Sequence, residues 1–181
     1  FHIPLQTASN ELLKKMRRRY QKETVIEKVE QIKSLMPDAF IGMDVICGLP
    51  GETDAFFEES MALVKKLPVS FVHVFTYSER KHTRAATIAK HTPHYIRTER
   101  SKILHALSNE KLHTFYLSQI GKERKVLFET HHQSGISYGH TDNYVKVGLR
   151  TSTDLTNAIK SVKLLAHNKT DYHIKAETVN K

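Results

Sequence analysis

The stretch Phe40-Ile41-Gly42-Met43-Asp44-Val45-Ile46-Cys47-Gly48-Leu49-Pro50-Gly51-Glu52-Thr53 decides the fold. Its first half is a near-continuous apolar run with one acid in it, the pattern of a strand buried on both faces of a parallel sheet. Its second half is a Gly-Leu-Pro-Gly turn that runs into a helix start at Thr53. Pro50 fixes its own φ, while Gly48 and Gly51 allow backbone to approach a ligand closely. In α/β proteins ligands bind at the carboxyl ends of such strands, so chemistry is expected at the turn from Gly48 to Glu52. An ordinary strand-to-helix loop explains the same residues.

Working outward, strands and helices alternate. Phe1 to Leu5 reads as the end of a strand, and Ser9 or Asn10 as the N-cap of a short helix carrying Leu12, Leu13 and Met16. Val25, Val29, Ile32 and Met36 form one apolar face of a helix over 23–36, which Pro37 stops. Beyond Thr53, Phe57, Met61 and Val64 share a helix face, and Val69 to Phe75 is a further apolar strand. A polar, basic loop over 76–92 precedes a long helix from about His94 to Ser118, with Ile96, Ile103, Leu107 and Phe115 among its apolar residues. Strand, helix, strand, helix, strand predicts an α/β fold with a parallel sheet and right-handed crossovers.

From Lys122 the pattern changes. Residues 126–129, 144–147, 162–165 and 172–176 read as short strands, with Ser134-Gly135, Gly139 and Asn168-Lys169 in turns. About 60 residues of this kind suffice for a small antiparallel OB-like barrel. The expected domains are 1–118 and 119–181.

The 181 residues carry 28 Lys and Arg against 19 Asp and Glu, a formal charge of +9, which favours a polyanionic partner, nucleic acid first. No apolar run approaches the roughly 20 residues that span a bilayer, so no membrane partner is expected. The start carries no signal-peptide pattern, and Phe1 in place of an initiator Met suggests a piece of a longer polypeptide. Cys47 is the single cysteine, which fits a reducing cytoplasm. His131 and His132 are adjacent, so on a strand they point to opposite faces, and no metal site is expected.

Five stretches in order resemble one family. His2-Ile3-Pro4-Leu5-Gln6-Thr7-Ala8-Ser9-Asn10 resembles the His-Ile-Pro-Leu-Gln-Ser-Gly-Ser motif of the radical-SAM methylthiotransferases, and Lys15-Met16-Arg17-Arg18-Arg19-Tyr20 the segment after it. Asp44 to Thr53 is similar to the family's Asp-Val-Ile-Val-Gly-Phe-Pro-Gly-Glu-Thr. Tyr77, Ser78, Arg80, Thr83 and Ala85 fall on its Tyr-Ser-x-Arg-x-x-Thr-x-Ala, and Gly121-Lys122, Val126-Leu127, Glu129, Gly139, Thr141 and Asn143-Tyr144 resemble its terminal TRAM domain. Thr7-Ala8, His82 and Arg84 depart from the family's usual residues in those loops.

The resemblance implies the C-terminal part of a partial TIM-like radical-SAM barrel followed by a TRAM domain. It implies a transferase that methylthiolates carbon 2 of threonylcarbamoyl-adenosine beside the anticodon of tRNA, after a deoxyadenosyl radical removes the hydrogen. The branch acting on isopentenyl-adenosine, or a stand-alone RNA-binding module without catalysis, is the alternative. The implied cofactors are S-adenosylmethionine and two 4Fe-4S clusters, whose cysteine motifs are absent from this chain and are expected in a preceding, N-terminal part of the same polypeptide. A lone Cys47 cannot hold a cluster that needs several thiolates, and the fragment by itself is expected to be inactive.

Residue roles follow. Gln6 and Ser9 are expected to reach ribose hydroxyls, with helix capping an additional use of Ser9. Arg18 aligns with an arginine that can grip the methionine carboxylate bidentately, or it is a solvated charge. Ile46, Gly48 and Leu49 offer apolar atoms and backbone to an adenine. Asp44 is a buried polar pair or a site contact, and in either case needs a partner. Glu52 can favour the following helix N-terminus. Arg80 and Thr83 are placed near cofactor or substrate. For tRNA, expected around its anticodon stem-loop, Lys122, Arg124, Lys125 and Lys146 are phosphate contacts, and Tyr144 stacks on a base or lies in the core. Lys14 and Arg17 extend the RNA path or form a solvated face.

Overall fold

The computed structural model describes residues 1–79, 91–132, 134–168 and 172–179. It divides into two compact units, Phe1–Leu112 and His113–Lys181.

The first unit is a three-stranded parallel sheet in the order β1 (His2–Gln6), β2 (Gly42–Cys47), β3 (Phe71–Thr76). The helices are α1 (Asn10–Lys15), α2 (Lys22–Leu35), α3 (Asp54–Lys66) and the long α4 (His94–Gln119). The expected strand–helix alternation holds, with the boundaries shifted by one or two residues. Alternation along β2 sorts the faces. Met43, Val45 and Cys47 point into one core with Val25 and Val29 of α2, Phe57 and Val64 of α3, and Leu104 and Leu107 of α4. Gly42, Asp44 and Ile46 point the other way, in register with Phe71, His73 and Phe75 of β3. That second face is half-exposed; Phe75 is 51% exposed. Among the described residues the sheet is packed on one side, where a parallel sheet is usually covered on both.

Polar groups fix the helices to the packed face. Ser108 Oγ of α4 accepts from Val72 N–H (2.9 Å) and donates to Val72 C=O (2.8 Å). The Lys111 ammonium donates to Leu67 C=O (2.8 Å), and burial pulls its pKa down. In the first unit the apolar stripe of α4 is Leu104 and Leu107; Ile103, another of its apolar residues, is 47% exposed. Thr53 caps α3, its hydroxyl accepting from Phe56 N–H (3.2 Å), worth about 1 kcal/mol.

The second unit is a closed barrel in the order β4 (Glu123–His132), β5 (Ile136–Thr141), β6 (Lys146–Arg150), β8 (His173–Thr178), β7 (Ile159–Asn168). Pairing is antiparallel except between β6 and β8, which run parallel and close the barrel. Val126, Phe128, Val147, Leu149, Val162, Leu164 and Ile174 fill it. α4 supplies Tyr116 Oη, which accepts from Lys146 N–H (3.2 Å), and Gln119, whose Oε1 accepts from Asn143 (3.0 Å) and Arg124 (3.2 Å).

Gly139, read above as a turn residue, lies inside β5, a strand the sequence reading missed. A Cβ there would overlap the Leu127 carbonyl oxygen and lie 2.7 Å from Phe128 Cα, so β4 crosses β5 too closely for any side chain. Gly139→Ala is expected to cost about 1–3 kcal/mol in urea unfolding, whereas Gly121→Ala, with nothing within 4 Å, costs only the left-handed backbone penalty of about 1–2 kcal/mol. An unchanged midpoint for Gly139→Ala would contradict the close crossing.

Candidate functional site

The carboxyl ends of β1 and β2 carry most of the residues singled out above for the cofactor. β1 ends in a bend. Its register against β2 slips between Pro4 and Gln6, and Gln6 takes φ 70 while Thr7 N–H donates to Leu5 C=O (2.9 Å). A γ-turn at a non-glycine residue costs on the order of 1–3 kcal/mol and needs surrounding structure to hold it. Ser60 of α3 provides this, its hydroxyl accepting from Ala8 N–H (3.0 Å) and lying 3.3 Å from Thr7 Oγ1. Ser9 is buried, and its hydroxyl caps α1 by accepting from Leu12 N–H (3.3 Å).

α1 ends in a second strained residue. Arg17 takes φ 56, Arg17 N–H donates to Lys14 C=O (3.0 Å) and Arg18 N–H to Leu13 C=O (2.9 Å). This is the helix-ending pattern that normally has glycine at the left-handed position. It turns Arg18 back towards β1, where its guanidinium donates to Gln6 Oε1 (3.2 Å). Gln6 and Arg18, twelve residues apart, are thus brought together. Arg18, Arg19, Tyr20, Asn10 and Lys14 line an adjoining cavity of about 430 Å³. Tyr20 Oη donates to Pro4 C=O (2.5 Å), and burial pushes its pKa up.

On the half-exposed face, the partner that Asp44 requires is His2, whose Nε2 donates to Asp44 Oδ1 (2.7 Å). The His2 ring stacks on His73 with centroids 4.9 Å apart. Ile46 lies one pleat further along β2, half-buried and level with Phe75.

The turn after β2 is held from behind. Glu52 is buried, with its side chain 2% exposed, and its Oε2 accepts from Gly48 N–H (2.7 Å) and from Arg100 Nη1 (2.6 Å). Arg100 Nη2 donates to Asp54 Oδ1 (2.6 Å), and its guanidinium lies over the Phe57 ring at 5.1 Å. Glu52 is thus more than a favourable charge at a helix start: it is half of a buried ion pair. Burial pushes its carboxyl above the usual carboxylate range, against the pull of Gly48 N–H and Arg100. Arg97 packs on Gly48, where a Cβ would overlap Arg97 Cγ; its Nε donates to Thr92 C=O (2.6 Å), and Thr92 Oγ1 to Leu49 C=O (3.0 Å). Gly48 (φ 77) is therefore glycine for Arg97 and for the turn, and its N–H is already used. Leu49 is buried.

Arg97 and Arg100 were not foreseen. The available signal was spacing: Arg100, Leu104 and Leu107 repeat at i, i+4 and i+7, placing a charge on an apolar stripe. Arg80 and Thr83 lie outside the described residues. In the second unit Lys125 is exposed and Lys122 and Lys146 are half-exposed. Arg124 bonds Gln119 and lies 3.7 Å from Asp142. Tyr144 is 67% exposed, which excludes the core reading.

The donor set fits S-adenosylmethionine at one end: Arg18 offers a guanidinium for a carboxylate, beside the Gln6 amide and the half-buried Ile46. It does not fit an iron–sulfur cluster. Cys47 is buried, its thiol points at Arg97 C=O (3.8 Å), and burial raises its pKa. Among the described residues no three His, Cys, Asp or Glu side chains converge on a metal position. Also among them, no helix is long and apolar enough to cross a membrane.

Residues 1–64 match the Radical SAM superfamily model. Over 171 residues the chain is 36% identical to the threonylcarbamoyladenosine tRNA methylthiotransferase of Bacillus subtilis, covering 91% of this chain and 37% of that protein. It is 35% identical over 149 residues to the protein of the same name in Rickettsia prowazekii, covering 82% and 34%. Over 164 residues it is also 35% identical to the tRNA-2-methylthio-N(6)-dimethylallyladenosine synthase of Sulfurovum sp., covering 91% and 38%. The chain spans little more than a third of the length of these curated relatives.

Truncating Arg100 leaves a buried carboxylate without its cation. Arg100→Leu is expected to cost about 3–5 kcal/mol at neutral pH. Without the cation the raised Glu52 pKa rises further, so the folded state binds its proton more tightly than the unfolded chain does. Stability of the variant therefore falls as pH rises through that pKa, and the loss relative to the parent shrinks in acid. Urea unfolding at pH 4.5 and 7.5 checks this; an equal loss at both would contradict it.

Proposed function

The chain belongs to the radical-SAM tRNA methylthiotransferase family, and from that footing we propose that it forms part of an enzyme that methylthiolates carbon 2 of threonylcarbamoyl-adenosine next to the anticodon of tRNA. Residues 1–118 are read as the C-terminal portion of a TIM-like radical-SAM barrel, supported by the one-sided parallel sheet with its helices on the packed face. Residues 119–181 are read as a TRAM-like RNA-binding barrel, supported by the closed five-stranded sheet and the basic balance of the chain. The half-exposed face bearing Asp44, Ile46 and His73 is then the face turned to the barrel lumen.

The observation that carries the reading is the meeting of Gln6 and Arg18 at the bend that ends β1, built on two left-handed non-glycine residues. Strain of that kind persists only where surrounding structure over-determines it, and it clusters at active sites and ligand clamps. Arg18 would hold the methionine carboxylate of S-adenosylmethionine, Gln6 would hold Arg18 in place and face the ribose, and Ile46 would present an apolar surface to the adenine. Asp44, committed to His2, shapes the floor beneath. Ser9, Gly48 and Leu49 act by fixing backbone. Bound S-adenosylmethionine supplies the hydrogen-abstracting chemistry. The 4Fe-4S clusters, two by family pattern, require thiolates that this chain lacks, and we assign them to a preceding part of the same polypeptide. Arg80 and Thr83 are assigned to cofactor or substrate, and Lys122, Arg124, Lys125, Tyr144 and Lys146 to the tRNA anticodon arm. The enzyme would work in the cytoplasm, where tRNA is modified.

A second reading, the branch acting on isopentenyl-adenosine, is supported by the equal identity to the Sulfurovum synthase. Mass spectrometry of tRNA nucleosides from cells lacking the gene separates the two. Loss of the 2-methylthio group from threonylcarbamoyl-adenosine alone is expected; loss from dimethylallyl-adenosine alone would establish the second reading, and loss from neither would overturn both. In the intact enzyme, Arg18→Lys removes bidentate geometry while keeping the charge, and should weaken S-adenosylmethionine binding roughly tenfold in equilibrium dialysis. Unchanged affinity would contradict the assignment.

A further inference from the structure

The cations between α1 and α2 are arranged around a hollow rather than spread over a surface. Lys14, Arg18 and Arg19 all line the cavity of about 430 Å³, with Tyr20 and Gln21 beside them. The left-handed residue Arg17 makes this possible, because it ends α1 and turns the following arginines back beside Lys14. The one acid in the lining does not balance them: Glu11 accepts from Lys15 (2.5 Å), a further cation. Asn10 is committed at both ends and forms a fixed wall. Its Oδ1 accepts from Lys22 N–H (2.9 Å), and its amide donates to Glu23 (2.9 Å). Tyr20 is pinned by its bond to Pro4 C=O, and Arg18 by its bond to Gln6. Lys14 and Arg19 differ from these: among the described residues their side chains have no acid partner and no hydrogen bond.

The hollow lies at the ligand end of the sheet. Arg18 reaches Gln6 at the end of β1, and the Lys15 ammonium would lie 3.8 Å from a Cβ at Gly51, in the turn after β2. Small-ligand sites hold roughly 300–1,000 Å³, so the volume suits one substituent of a substrate. The two nucleosides named by the relatives differ in what such a substituent carries. A threonylcarbamoyl group ends in a carboxylate and a hydroxyl, and a dimethylallyl group is hydrocarbon throughout. Hydrocarbon in this hollow would strip water from the cations and return nothing. A carboxylate would replace that water with charge-assisted bonds, bidentate on an arginine fork. Gln21, whose side chain does not cap α2, remains to bond the hydroxyl. A nucleotide phosphate shares the oxyanion chemistry but sits on every nucleotide, so it cannot tell the two nucleosides apart.

We propose that the cavity between α1 and α2 is the specificity site for the N6 substituent, with Arg19 and Lys14 holding the carboxylate of the threonylcarbamoyl group. Arg18 forms the wall between this cavity and the cofactor. The inference deepens the tRNA-modification reading and rests on it for the identity of the nucleoside. It gives Lys14 a partner, in place of a solvated face, and separates the two branches by charge.

The test uses the intact polypeptide and fluorescent anticodon stem-loops that differ only in the nucleoside beside the anticodon: threonylcarbamoyl-adenosine, its methyl ester, dimethylallyl-adenosine or adenosine. Affinities are read by anisotropy. The parent should bind the free acid about 10- to 100-fold tighter than the ester or the dimethylallyl loop. Arg19→Gln should remove most of that preference while keeping affinity for the adenosine loop within about twofold, and Arg19→Lys should fall between. Lys14→Gln should lower the preference in the same direction. Both side chains are exposed, so neither change threatens the fold. Equal affinity of the parent for acid and ester overturns the site, and so does Arg19→Gln weakening all four loops alike, the mark of a phosphate contact. Nucleoside mass spectrometry reports separately on the modification reading. A protein that methylthiolates threonylcarbamoyl-adenosine without preferring acid over ester loses only the site, and one that prefers the acid through Arg19 without modifying tRNA loses only the enzyme.

Discussion

The buried pair between Glu52 and Arg100 is the constraint on which the first unit depends. Neither charge would be tolerated alone in a site that leaves 2% and 6% of their side chains exposed. Together they tie three things at one point: the Gly48 amide that begins the turn, the start of α3 at Asp54, and the first turns of α4. Breaking either partner frees the Gly-Leu-Pro-Gly turn at its base. Arg97 secures the same turn by packing on Gly48 and bonding Thr92 C=O, while Thr92 in turn bonds Leu49 C=O.

Among the described residues this bracing acts from the helical side and leaves the other side of the sheet half-exposed. Met43, Val45 and Cys47 are locked among helices, whereas Asp44, Ile46 and the neighbouring His73 are not. At the edge of that open face, two residues in left-handed backbone, Gln6 and Arg17, set the Gln6–Arg18 contact. A rigid back and a strained, polar front are what a ligand site on the end of a parallel sheet requires, because positioning must be fixed before binding if binding free energy is not to be spent on ordering loops.

The order of elements was legible in the sequence because each helix and strand of the first unit carries its own period. Val25 and Val29, or Phe57 and Val64, need only local spacing to be read as core. The Gly48–Glu52 turn was legible as a place, but not as a mechanism. Glu52 and Arg100 are 48 residues apart, and no local pattern pairs them. What could have been read was Arg100 standing on an apolar stripe. Strand β5 was missed because Gly139 looks like a turn residue, and its real reason, the crossing of β4, is a contact that only the closed barrel creates. The stacking of Tyr144 on His140 was not legible for the same reason: the sequence alone leaves Tyr144 open between a base-stacking ring and a core residue.

A pre-formed site requires the turn after β2 to be fixed before any ligand arrives. Amide hydrogen exchange at Gly48 in the intact protein, with and without S-adenosylmethionine, tests this directly. Slow exchange at Gly48 in the cofactor-free protein, little changed on adding cofactor, is the expected result, since that amide is bonded to the buried Glu52 carboxylate. Fast exchange that slows only when S-adenosylmethionine binds would show that the ligand, not the Glu52–Arg100 pair, orders the turn.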